Sequence, residues 1–259
     1  MIPQFVGGFV MRMLLAGFAT CVLLATGSGA VAAPTAPAAS STITEPVTEA
    51  DRQEFREAIS VNPILVIVMK EFPGEYAAFE SRLLADAKAG RVTAIEARDR
   101  TNVFITGIQT PLLQLAKFAP DDEIAELYRT NLSTLQALAK VNLQACYLFG
   151  EGTGLSPEIA GSLPPEAFNV VAAYGAQELR AGIAGRKARL VRQPLTEGEI
   201  APLIEIFISK NGDTNYLVAR ADGAAISLLA EDRCRNSIIW MESVLEMPKA
   251  TMGRLMNTE

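Results

Sequence analysis

The chain has 259 residues, no histidine, three cysteines and a formal charge of −6, with 49% hydrophobic and 20% charged residues. The absence of histidine excludes Ser-His-Asp and Cys-His nucleophilic triads and every metal site built on imidazole, and three cysteines are too few for a four-cysteine zinc site. An aromatic share of 7% beside recurrent Ala and Leu favours helices over a β-sandwich.

Arg12 precedes the apolar run Met13–Thr26, and small residues then lead into Ala30-Val31-Ala32. This is the layout of a secretory signal peptide over residues 1–32, with cleavage after Ala32. The run is shorter than the roughly 20 residues a membrane span needs, which disfavours the alternative of a retained anchor. Cleavage takes away one arginine and no acid, leaving a formal charge of −7. An acidic exported chain lacks the basic footprint of a nucleic-acid binder. No later stretch is long and apolar enough to span a bilayer, so the expected product is a periplasmic or secreted protein with no membrane span.

Residues 33–47 are rich in Pro, Ala, Ser and Thr and read as a disordered linker. Helical signals begin with Thr48-Glu-Ala-Asp51, which resembles a capping box, and Asn62-Pro63 closes one helix and starts another. The β-branched run Ile64–Met69 reads as a buried helix because Pro63 suits the first helical position. After Pro73-Gly74 comes an amphipathic stretch with Tyr76, Phe79 and Leu83 on one stripe, ended by Gly90. Thr93-Ala-Ile-Glu96 opens a helix to about Gln109, which Pro111 should kink or split. Asp121 is placed as the cap of the next helix, which the pattern carries unbroken to Leu148. Gly150–Ser162 is irregular, with four glycines, and Pro164-Pro165-Glu166 begins a helix to about Ile183. Thr196-Glu-Gly-Glu199 is another capping box, and Gly212 ends its helix. Residues 213–223 are ambiguous, and 224–247 read as one long amphipathic helix stopped by Pro248. The expected fold is all-α: a single irregular bundle of about eight helices over residues 48–259. Two blocks, each ending Ala-Gly-Arg before a capping box, hint at duplication, but no fixed period supports it.

Once the leader is removed, Cys146 and Cys234 remain, each on the apolar stripe of a helix. In an exported protein this even number points to a disulfide brace, the alternative being two buried free thiols. Without histidine, the compatible hydrolytic chemistry is the paired-carboxylate mechanism of glycosidases. Glu151, at the mouth of the Gly-rich stretch, is the candidate general acid and Glu158 the nearest second carboxylate. A Glu between glycines after a helix is more often a solvated loop residue, and no flanking motif raises Glu151 above that. Asn211-Gly-Asp213-Thr-Asn215 with Asp222 has the alternating oxygens of a calcium loop but lacks its central glycine, and a polar turn is the better reading. No cofactor or metal site is implied. Arg180, Arg186, Lys187, Arg189 and Arg192 form the one basic cluster, suited to an anionic partner or simply to a solvated interhelical loop. Asn131-Leu-Ser133 is a glycosylation sequon inside an expected helix, and Trp240 sits beside an apolar stripe. The functional expectation is a non-enzymatic binding or accessory factor of the bacterial periplasm with a protein partner; the alternative is a carboxylate-dependent cell-wall glycan hydrolase.

Overall fold

The computed structural model describes residues 46–222 and 228–256. The signal-peptide and linker assignments fall almost wholly outside the described residues. The described regular structure is entirely helical, with twelve α-helices and one 3-10 turn. This exceeds the eight expected, because polar caps and prolines divide stretches that hydropathy alone runs together. The chain divides into two compact units, with the boundary in sequence between Gly107 and Ile108.

The first unit contains α1 (Glu49–Ile59), α2 (Pro63–Glu71), α3 (Pro73–Lys88) and the first turns of α4 (Ala94–Leu113). Local chemistry sets each boundary. Thr48 Oγ1 accepts from the Asp51 amide at 3.2 Å while the Thr48 amide donates to Asp51 at 2.6 Å, a reciprocal cap. The Asn62 side chain accepts from the amides of Ile64 and Leu65, and Pro63 fills the first helical position, so the β-branched run is helical. Gly90 takes φ +64° after α3, a conformation costly for residues with a Cβ. Thr93 and Glu96 form the reciprocal cap of α4. Apolar contacts run through Leu65, Val68, Tyr76, Phe79 and Leu83, all buried, and Phe79 stacks on Phe104 with centroids 4.2 Å apart. Pro111 does not split α4. The hydrogen bond it forfeits falls in the last turn, where the helix is about to end at Leu113.

The second unit continues with the 3-10 turn Ala116–Phe118, α5 (Asp121–Val141), α6 (Leu143–Gly150), α7 (Pro157–Ser162), α8 (Pro165–Ala188), α9 (Glu197–Ser209), α10 (Thr214–Asp222), α11 (Ala230–Glu246) and α12 (Lys249–Leu255). The expected helix from Asp121 to Leu148 is two helices. Asn142 leaves helical geometry at φ −158°, and its Oδ1 accepts from the Ala145 amide at 2.9 Å to cap α6. Pro120, not Asp121, occupies the cap position of α5. The Asp121 carboxylate instead receives a guanidinium from Arg192. The ambiguous 213–223 stretch is helical from Thr214 to Asp222, and α11 begins only at Ala230.

Helix α5 is the hub, packed by α6, α8, α11 and α12, while α9 packs on α11. The core comprises residues such as Ile124, Leu135, Leu138, Leu179, Leu203 and Val244. Trp240 lies in it, edge-on to Phe207 with centroids 6.0 Å apart. Helix α8 reaches the 3-10 turn through two glycines. A Cβ on Gly185 would stand 1.8 Å from the Leu115 carbonyl oxygen, and one on Gly182 would stand 2.5 Å from that of Leu112. Only a backbone without side chains there allows so close an approach.

Candidate functional site

The Gly-rich stretch after α6 brings together three of the residues singled out in sequence. Cys146 on α6 and Cys234 on α11 stand at disulfide distance, their Cα atoms 5.4 Å apart, and both are buried. Gly150 permits this closeness, since a Cβ there would lie 2.4 Å from the Ser237 hydroxyl of α11. Directly beyond, Glu151 meets Arg233, the neighbour of Cys234. Arg233 Nε donates to Glu151 Oε1 at 2.6 Å and its Nη2 to Oε2, while the guanidinium stacks 4.2 Å from the Tyr147 ring centroid. The side chains are only 13% and 21% exposed. Both oxygens of the candidate general acid are thus taken by a bidentate partner. Glu158 is exposed in the first turn of α7, and it is Arg233 that faces Glu151. Sequence spacing offered no sign of Arg233, since 82 residues separate the two.

The basic cluster divides. Arg186, Lys187 and Arg189 are exposed where α8 ends, with Arg189 in the left-handed region at φ 52°. Arg192 is turned inward, 9% exposed, and donates to Asp121 and to the carbonyls of Lys117 and Ala119. Arg254 of α12 then donates to the carbonyls of Gln193 and Pro194 at 3.0 and 2.8 Å, and its guanidinium also pairs with Glu199. The chain between α8 and α9 is therefore fixed by two arginines that emit hydrogen bonds to backbone oxygens.

Asp213 opens α10 instead of lining a calcium loop. Its Oδ1 accepts from the Asn215 amide at 2.8 Å and its own amide donates to Asn236. No group of three or more metal-capable side chains occurs among the described residues. Asn131 of the sequon is buried on α5.

Two buried carboxyls escaped the sequence reading. In the first unit, Glu80 is fully buried and accepts from Arg56 at 2.8 and 2.9 Å, Arg52 at 3.1 Å and Tyr76 at 3.3 Å. Burial would raise its pKa, but the guanidinium bonds of Arg56 and Arg52 prevail and hold it low. The Tyr76 phenol is pushed up to about 12, by burial first and the Glu80 charge second. In the second unit, Glu178 on α8 is 3% exposed, and burial lifts its pKa to about 8 against the opposing hydrogen bond from Tyr174. Its signal in sequence is its setting among Gly175, Ala176, Ala181 and Gly182, small residues that let neighbouring helices close over a polar group.

No family model, curated protein or solved structure matches the chain.

Proposed function

We propose that this chain is an exported, disulfide-braced helical factor that acts by binding and not by catalysis. The observation that carries the reading is the Glu151–Arg233 pair. A glycan-cleaving acid must present its proton to a leaving group, with a second carboxylate facing it across the scissile bond. Glu151 spends both oxygens on a guanidinium packed against Tyr147, beside the Cys146–Cys234 pair. That arrangement suits a structural clamp between α6 and α11. The leader-like residues 1–32 and the cysteine pair agree with an oxidising compartment outside the cytoplasm.

The test has two arms. Fractionation of the producing cells with N-terminal sequencing should recover a chain beginning at Ala33 in the periplasm or medium. The purified mature protein should release no soluble fragments from peptidoglycan. Glycan release that disappears in Glu151→Gln would overturn the non-catalytic reading, and retention of the unprocessed chain in the cytoplasm would overturn export.

A further inference from the structure

We propose that the non-helical segment following α8 is a docking tip that seats the protein on an anionic phospholipid surface. This rests on the export reading, which places the chain beside a membrane. Between Glu178 and Glu197 there are five cations and no acid, in a chain whose formal charge is −6. At the end of this stretch Val191 is 81% exposed and Leu190 43% exposed, next to exposed Arg186, Lys187 and Arg189. Exposed aliphatic side chains that follow exposed cations in the chain match a lipid surface: cations meet phosphodiesters while apolar groups enter the acyl boundary.

Rigidity strengthens the match. The Leu190 amide donates to the Phe118 carbonyl at 3.0 Å, Arg192 binds Asp121 and two carbonyls beneath the segment, and Arg254 holds the carbonyls of Gln193 and Pro194. The tip is presented without an ordering cost at the moment of contact. Asp121 and Glu199, two acids that reach the segment, are matched by Arg192 and Arg254. Val191 projects from an irregular segment, which favours a deformable lipid surface over an acidic peptide. The protein's overall negative charge makes attachment local and strongly screened by salt.

Cosedimentation of the mature protein with vesicles tests this, comparing pure phosphatidylcholine with vesicles containing 30 mol% phosphatidylglycerol, a composition on the order of natural anionic membranes. The expected result is binding to the anionic vesicles only, lost in high salt, reduced at least about tenfold by R186E/R189E and several-fold by Val191→Ser. Circular dichroism melting confirms that the variants, altered only at exposed positions, remain folded. Equal sedimentation with both lipids, or unchanged binding in the charge-reversed variant, would overturn the proposal. So would loss on charge reversal with no effect of Val191→Ser, which would reduce the tip to a charge contact that any polyanion satisfies. A processed, exported chain that ignores vesicles refutes the docking tip alone, whereas vesicle binding by a chain retained in the cytoplasm refutes the export reading.

Discussion

A carboxyl group enclosed among small residues of α8 keeps its proton into the neutral range, and this links one side chain to the pH response of the fold. Glu178 has a pKa of about 8 when folded, against 4.5 when free, because burial penalises its charged form. The native state then binds one proton more than the unfolded chain between these values. Its contribution to stability is whole below the free value and is lost as pH rises through the folded one. Chemical denaturation at several pH values from 5 to 8 should show stability falling by on the order of a few kcal/mol. Glu178→Gln, neutral and nearly isosteric, should flatten the curve; a wild-type curve already flat over this window would refute the assignment. Asp51 and Glu199 behave oppositely. Their pKa values, lowered to about 2, owe most to the hydrogen bonds from Lys88 and Arg254 respectively. Their contributions vanish only as pH falls through the acid range, outside this window.

Among the helices, legibility followed the range of the interaction. The caps at Thr48, Thr93 and Thr196 are three-residue devices, and each stands where the sequence places it: the Thr196 amide and hydroxyl both donate to Glu199 at 2.9 and 2.8 Å. The stripes holding Cys146 and Cys234 were also readable, because periodicity reports burial directly, and Trp240 was placed beside one of them. The break at Asn142 was obscured by apolar residues continuing on both sides of it. Arg233, Arg192 and Arg254 were unreadable as clamps, since their partners lie 55–82 residues away in sequence. Small residues carry the remaining information, and it is testable. Gly185→Ala should destabilise the protein by about 2–4 kcal/mol, because its Cβ has to displace the Leu115 backbone. Gly198→Ala, in the first turn of α9 with nothing within 4 Å of the added Cβ, should be neutral or stabilise by about 0.5–1 kcal/mol. Equal melting temperatures for the two variants would contradict this close helix approach.

For the molecule as a whole, the cysteine pair brings segments 88 residues apart to disulfide distance, one on α6 and one on α11. Closing so long a loop restricts the unfolded chain, so Cys146→Ser with Cys234→Ser should cost about 2–4 kcal/mol by denaturant titration. Thiol counting on denatured protein should find no free sulfhydryl in the processed chain until reductant is added. Two free thiols without reductant would show that the cysteines are merely neighbours.

The arginine of the last helix has a consequence for the order of events during synthesis. Arg254 supplies the bonds that hold the Gln193 and Pro194 carbonyls, 61 and 60 residues earlier in the chain. A nascent polypeptide emerging from its N-terminus has made α8, the segment after it and α9 long before this side chain exists. During that interval the segment is held only by the bonds of Leu190 and Arg192 to residues 117–121, which leaves the peptide bond after Arg192 less tethered and more open to a trypsin-like protease. Arrival of α12 closes that window, so resistance to cleavage there becomes a clock for completion of the fold.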